Sequence, residues 1–423
     1  MTTKRMELCP GVWLTTVQTN RFKTGSFSFN ILRPLAEETA SVNALIPSVL
    51  LRGCKAYPDI QSISRRLDEL YGASVGTIVK KKGEVQTFGL YADFLEDCYA
   101  DNDSVFAQMM EFVSDLLFDP CVENGGFVEE YVYGEKQNLL NTIASRINDK
   151  RSYAITRILK HMCAGEAYRV TRLGEKEALE GVSPVTLYAA WQEALACSTI
   201  EIFYLGQKSQ QEVFSQMKCF IERLPGRTIS HKPETRIIMP ERDVQVVEET
   251  LDITQGKLCI GFRTPVTVQD PRYPALMVLN TIYGAGMTSK LFTKIREEQS
   301  LCYYASSSVD RIKGIMVVGS GIEFENYEIA RDGILEQLDL CRRGQISDDE
   351  MESAVSYLIS SLRVCNDNPG QMDDFMIGQS VAGIDGTVSE LIEDISKVTI
   401  FDVVDVANTI TLDTIYFLKG VSA

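Results

Sequence analysis

The chain has 423 residues, 45% hydrophobic and 24% charged, which excludes a wholly disordered, collagen-like or coiled-coil protein. Its 42 basic and 58 acidic residues give a net charge of −16 and a pI near 4.8. Such a chain is repelled by phosphate backbones and anionic membranes, so neither nucleic acid nor a membrane is an expected partner. The opening run MTTKRMELCPGVWLTT is interrupted by Glu7 and Pro10 and has no long apolar core. No signal peptide or span is expected there, and a cytoplasmic location is.

The 11 cysteines stand far apart, at 9, 54, 98, 121, 163, 197, 219, 259, 302, 341 and 365, without a CxxC pair. Their odd number and wide spacing predict reduced, mostly buried thiols rather than a disulfide framework or a structural zinc site. Only two histidines exist, His161 and His231. Histidine is the usual general base and metal ligand, so this scarcity excludes most metallohydrolase arrangements.

In chain order, residues 26–32 (SFSFNIL) alternate as a strand, and 44–51 form an apolar helical stretch. Ile63, Leu67 and Leu70 then mark a short amphipathic helix, 87–94 (TFGLYADF) a strand and 105–117 a helix. Residues 127–147 predict a long helix with Val132, Leu139, Leu140, Ile143 and Ile147 on one side, as for a helix packed on a sheet. Residues 224–249 carry Pro225, Gly226, Pro233 and Pro240 among many charges, which suits a semi-rigid exposed connection.

Beyond it the same order returns at an offset near 230: a strand at 257–262, an apolar helix at 275–282, and a short helix marked by Leu291, Ile295 and Glu298. A strand at 317–324 and a helix at 327–341 complete the series. This repetition predicts two homologous α+β domains, 1–224 and 250–423, joined by a linker at 225–249. Each is expected to be a mainly antiparallel sheet with helices packed on one face.

The sharpest local signal is 283–304, YGAGMTSKLFTKIREEQSLCYY. Gly284 and Gly286 permit a tight turn or a close backbone approach, and Thr288 or Ser289 is a candidate N-cap for a helix through Glu298. A helix entry of this kind suits an anion or an extended peptide; a loop merely entering a helix is the alternative. The spacing is not that of a nucleotide-binding GxxxxGK[ST] loop. Elsewhere the acidic runs at Glu96–Asp97, Glu129–Glu130 and Asp348–Glu350 are expected to be solvated faces.

The block GAGMTSKLFTKIREEQSLCYYASSSV, with IMVVGSGIE behind it, resembles the C-terminal domain of the insulinase and mitochondrial-processing-peptidase-like metallopeptidases, the M16 family. There a Gly-rich loop opens a helix reading roughly SxLFxxxREKxGLxY. Ser289, Leu291, Phe292, Arg296, Leu301 and Tyr303 fall in that register, and the step from Arg296 to Tyr303 matches the family's Arg/Tyr pair. The duplicated architecture fits the same family, and the fold it implies is a half-clamshell.

The family's active members carry HxxEH on a helix of the first domain, with a further glutamate on a following helix as third zinc ligand. Here the segment reads ALIPSVLLRGC, which puts Ala44 and Ser48 at the histidine positions and Pro47 at the general base. The later helix reads EKQNLLNTI, keeping Glu135 but placing Thr142 at the ligand position. Ala44, Pro47 and Thr142 can neither bind zinc nor act as base there, and His161 and His231 lie too far along the chain to substitute.

The resemblance therefore implies a non-catalytic subunit with no cofactor of its own, zinc being expected only in a catalytic partner. That partner would be an HxxEH-bearing M16 homologue in a heterodimer, with a homodimer as the other possibility. Arg296, Tyr303, Gly284 and Gly286 would bind the peptide substrate, Arg296 at a carbonyl and Tyr303 near the developing oxyanion. The alternatives are a structural or binding protein on the same fold with no role in proteolysis, or an enzyme using other residues. For the pair itself, the plain alternative is Arg296 salt-bridged to a nearby acid and Tyr303 packed in the core.

Overall fold

A computed structural model describes residues 2–101, 104–230, 232–239 and 243–421, with only the backbone of residue 219. The chain forms two compact units that are not collinear with the sequence. The first comprises Met1–Ala144, Val170–Glu234 and Pro369–Gly378; the second comprises Ser145–Arg169, Thr235–Asn368 and Gln379–Ala423. This division departs from the expected boundaries at 224 and 250: residues 145–169 group with the second unit and 369–378 with the first.

In the first unit, six strands form one sheet in the order β1-β2-β8-β3-β5-β4. They are β1 (Thr2–Cys9), β2 (Val12–Gln18), β3 (Thr24–Pro34), β4 (Ser74–Lys82), β5 (Val85–Leu95) and β8 (Thr199–Gly206). A two-stranded hairpin of β6 (Val122–Glu123) and β7 (Gly126–Phe127) lies apart from it. The alternation in β3 sends Phe27, Phe29 and Ile31 into the core. There they meet helices α1 (Glu37–Leu50), α3 (Val105–Phe118), α6 (Pro184–Cys197) and α7 (Gln210–Arg223). Helix α2 (Ile60–Glu69) starts at a reciprocal cap in which Asp59 and Ser62 satisfy each other's backbone amides.

Helix α4 (Glu129–Ser145) differs from the sheet-packed helix expected at 127–147. Val132 alone in it is buried, Leu139, Leu140 and Ile143 are half-covered, and Ile147 lies beyond its end and is 39% exposed. Several of its polar residues line a cavity.

The second unit's sheet runs β11-β12-β10-β13-β9. Its strands are β9 (Gln245–Leu251), β10 (Gly256–Arg263), β11 (Cys302–Asp310), β12 (Ile315–Ile322) and β13 (Thr411–Gly420). Read from its other end it repeats β2-β8-β3-β5-β4, with the single parallel pair in the same place, β2 beside β8 and β9 beside β13. Phe88 pairs with Ile31; Val318, 318 − 88 = 230 positions on, pairs with Ile260. The internal repeat is thus carried by the topology. The expected linker ends earlier than 249, because Gln245 already begins β9; within it Pro240 lies outside the described residues.

One face of this sheet, with Leu258, Ile260 and Phe262, packs on α8 (Tyr273–Asn280), α9 (Tyr327–Arg342), α10 (Asp348–Cys365), α12 (Val388–Ser396) and α13 (Ile400–Thr409). The opposite face, with Cys259, Val317, Tyr416 and Leu418, packs on Ala154, Ile158 and Met162 of α5 (Lys150–Met162). That burial explains why residues 145–169 join this unit. Helix α11 (Pro369–Ala382) supplies its first ten residues to the first unit. The acidic runs at 129–130 and 348–350 stand in the first turns of α4 and α10, where the helix dipole favours carboxylates. The described cysteines are thiols, and most are buried.

Candidate functional site

A cavity of about 580 Å³ opens within the first unit. Ala44 and Ser48, one turn apart on the same face of α1, line it together with Glu135, Asn138, Leu139 and Thr142 of α4. The residues registered on the family's three zinc-ligand positions therefore surround one space. Pro47 is not among the lining residues; it is buried within α1, where it lacks the N–H that would bond to the carbonyl of Asn43.

The donor set does not fit zinc. Ala44 has no lone pair to offer, and the hydroxyls of Ser48 and Thr142 are poor ligands beside imidazole or carboxylate. Thr142 Oγ1 donates to the Asn138 carbonyl at 2.9 Å. Glu135 accepts from Arg52 Nη1 at 3.4 Å and from Asn138 Nδ2 at 3.2 Å, so its carboxylate is already committed. Among the described residues no three His, Cys, Asp or Glu side chains are grouped so that they could hold a metal ion. His161 sits on α5 with its ring stacked on Tyr416; burial, then the Arg157 guanidinium, holds its pKa below the usual imidazole value. His231 lies outside the described residues.

Sequence reasoning missed one cavity residue, Asp373, which reaches the first unit on α11. It is buried and accepts the Ser28 hydroxyl at 2.9 Å, while Asn30 Nδ2 donates to that same hydroxyl oxygen at 2.8 Å. Burial pushes its carboxyl up to about 6, against the pull of Ser28, Lys80 and Lys82. Its neighbour Asp374 sits between Lys80 and Lys82, both at 2.9 Å; burial opposes its charge, but the two ammonium groups prevail and hold its pKa low. The only local signal was an Asp-Asp pair far along the chain, and nothing nearby in sequence tied it to β3.

The second unit carries the Arg/Tyr block. Its helix from Leu291 to Glu298 has wide, π-type turns, as does Thr281–Ala285, where the apolar helix expected to reach 282 loosens after Asn280. Ser289 Oγ accepts from the Phe292 amide at 3.4 Å, a weak version of the expected cap. Gly284 is buried, and a Cβ there would lie 2.6 Å from Ser307 Oγ and 2.7 Å from Leu291 Cδ1. At Gly286 a Cβ would come within 2.9 Å of the Thr281 carbonyl. Packing alone thus requires both glycines.

Arg296 is exposed, its guanidinium 4.6 Å from the centre of the Phe292 ring. Among the described residues no carboxylate pairs with it, in place of the salt bridge weighed above. Tyr303 is 58% exposed rather than packed in the core. Cys302 pairs with Ile322 and Tyr304 with Gly321, so two steps on β11 match one on β12 and Tyr303 is the extra residue of a bulge. Its hydroxyl donates to Glu323 Oε1 at 2.5 Å, and that bond to a carboxylate raises the phenol above its ordinary pKa.

These features agree with the comparisons. The peptidase M16 inactive domain matches residues 182–358. The probable inactive metalloprotease YmfF of Bacillus subtilis (strain 168) is 31% identical over 408 residues, covering 96% of this chain and 95% of that protein. The crystal structure of a conserved protein from Enterococcus faecalis V583 superposes with a TM-score of 0.92 at 29% identity, over 100% of this chain and 99% of that one. A protease from Helicobacter pylori shares the fold with a TM-score of 0.79 at 13% identity, over 99% of each chain. The chain belongs to the peptidase M16 family. Within that family it is a homologue of the inactive metalloproteases.

Proposed function

We propose that this chain is the non-catalytic, substrate-binding or regulatory subunit of an M16-type zinc peptidase. Its partner is an HxxEH-bearing M16 homologue, to whose peptide-cleaving chamber it contributes the Arg296/Tyr303 pair and the loop at Gly284–Gly286. The observation that carries this reading is the exposure of Arg296 and Tyr303 in a chain whose zinc positions hold Ala44, Ser48 and Thr142. A guanidinium with no carboxylate partner among the described residues keeps donors available for a peptide carbonyl, and a bulge-directed tyrosine presents its oxygen to solvent.

The experiment is reconstitution. Each chain is assayed alone and then mixed, with an unstructured fluorogenic peptide as substrate. Chelator-sensitive cleavage that needs both chains supports the reading. A partner that cleaves equally well without this chain leaves it a structural or binding protein on the M16 fold.

A further inference from the structure

We propose that Glu323 is the positioning residue for Tyr303, and that the two together present the phenolic oxygen as an acceptor for a backbone N–H of bound peptide. This rests on the substrate-side role proposed above and assigns the chemistry of that role.

The geometry begins in the backbone. Ser300 adopts a left-handed conformation, with φ of 53°, just before β11. Three residues further on, the bulge inserts Tyr303 between Cys302 and Tyr304, breaking the alternation that would otherwise fix its face. Glu323 stands directly after the last residue of β12, the strand paired with β11. The bulge therefore carries the tyrosine toward the end of its neighbouring strand, where a carboxylate waits at 2.5 Å.

A phenol has one proton to donate and two lone pairs with which to accept. A carboxylate is an acceptor only, so in this bond the proton comes from Tyr303. While the bond holds, the hydroxyl cannot also donate to a carbonyl or an oxyanion. What it turns toward solvent is the oxygen's lone pairs, made richer by the charged acceptor behind the proton. The complementary group on an extended peptide is an amide N–H. Arg296, which only donates, suits the carbonyls of the same peptide. The pair would then read both polar groups of a peptide backbone without reading its side chains.

The test uses a fluorescein-labelled unstructured peptide of alternating alanine and leucine, and a series in which each amide in turn is N-methylated. Binding to the full-length chain is followed by fluorescence anisotropy, alone and with the catalytic homologue. One N-methyl position should weaken binding to the native chain by about three- to tenfold, the range of one net hydrogen bond, and cost Tyr303→Phe nothing. Glu323→Gln, whose side-chain carbonyl can still accept from the phenol, should keep most of that sensitivity. Glu323→Ala should lose it, and should add nothing to Tyr303→Phe in the double variant.

If every N-methyl peptide binds like the parent, or Glu323→Ala and Tyr303→Phe are fully additive, the acceptor assignment falls while peptide binding stands. If Glu323→Ala instead raises turnover in the mixture about tenfold or more, Tyr303 is a donor held back by Glu323, and the assignment is overturned. If no peptide binds and no mixture cleaves, the substrate-side role fails and takes this inference with it.

Discussion

Arg263 and Glu166 meet at 2.6 Å inside the second unit, 97 positions apart in sequence. The other Glu166 oxygen takes Lys313 Nζ at 2.6 Å, and Arg263 Nε donates to Asp413 at 2.7 Å. The Lys313 and Asp413 side chains are 0% exposed. Two cations and two carboxylates offset one another here, and Arg263 also holds the carbonyl at the end of α5 through Met162.

Breaking one member should therefore cost far more than a surface pair. Arg263→Met leaves Asp413 buried without its cation and should lower unfolding stability by about 3–5 kcal/mol. The exposed counterpart is Arg272, paired with Asp270 and Asp405; Arg272→Met should cost about 1 kcal/mol or less. Urea titrations of both variants make the comparison. Equal losses would show that the buried cluster is not what holds residues 145–169 to their sheet.

Asp373 predicts a pH dependence of the opposite sign to that of Asp374. Its folded carboxyl titrates near 6 because burial disfavours the charge, against about 3.9 in an unfolded chain. The folded state then binds the proton more tightly, so this group's contribution falls as pH rises from about 4 to 6 and is level above that window. The difference is of the order of 2–3 kcal/mol. Asp374, held low by Lys82 and Lys80, contributes stability that is lost only as pH falls through its depressed value. Asp373→Asn should remove the loss between pH 4 and 6. A native and a variant profile that run parallel there would show that the Ser28 site holds no displaced titration.

The three zinc positions make a third prediction. Purified protein should hold far less than one zinc per chain by elemental analysis. Because Ala44, Ser48 and Thr142 line one cavity, the triple variant Ala44→His, Ser48→His, Thr142→Glu should gain zinc that survives dialysis. It should remain inactive while Pro47 occupies the place of the general base. Stoichiometric zinc in the native protein, lost on substituting Ser48, would overturn the registration.

Much of this was legible because it is local. The alternation of SFSFNIL and KLCIGF marked β3 and β10, and the missing histidines at 44 and 48 were plain from the letters. What escaped depends on contacts across the chain. Ala154, Ile158 and Met162 read equally well as the face of a first-domain helix; only Cys259, Val317 and Tyr416 decide where they pack. The Asp-Asp pair at Asp373 pointed to no site on its own, because its partner Ser28 lies 345 positions away. The apolar residues of α4 overstated its burial, since the cavity occupies the space a sheet contact would need. The bulge at Tyr303 left no trace in the sequence pattern, and with it Glu323 went unnoticed.

The last prediction separates grip from chemistry at Arg296. With cleavage reconstituted, Arg296→Ala and Tyr303→Phe should both lower kcat/KM while leaving assembly intact by gel filtration, since both side chains are largely free of the core. Removing an oxyanion donor typically costs about 10²–10³-fold in rate. Tyr303, whose proton is engaged by Glu323, should cost nearer tenfold, and more in KM than in kcat. Arg296→Lys keeps the charge but loses the planar fork that stacks on Phe292 and can bond in two directions, so it should restore little. Full rescue by lysine would mean that Arg296 acts as a point charge. Unchanged kinetics in both alanine and phenylalanine variants would remove the pair from the site and leave the chain's contribution to be sought elsewhere on the second unit.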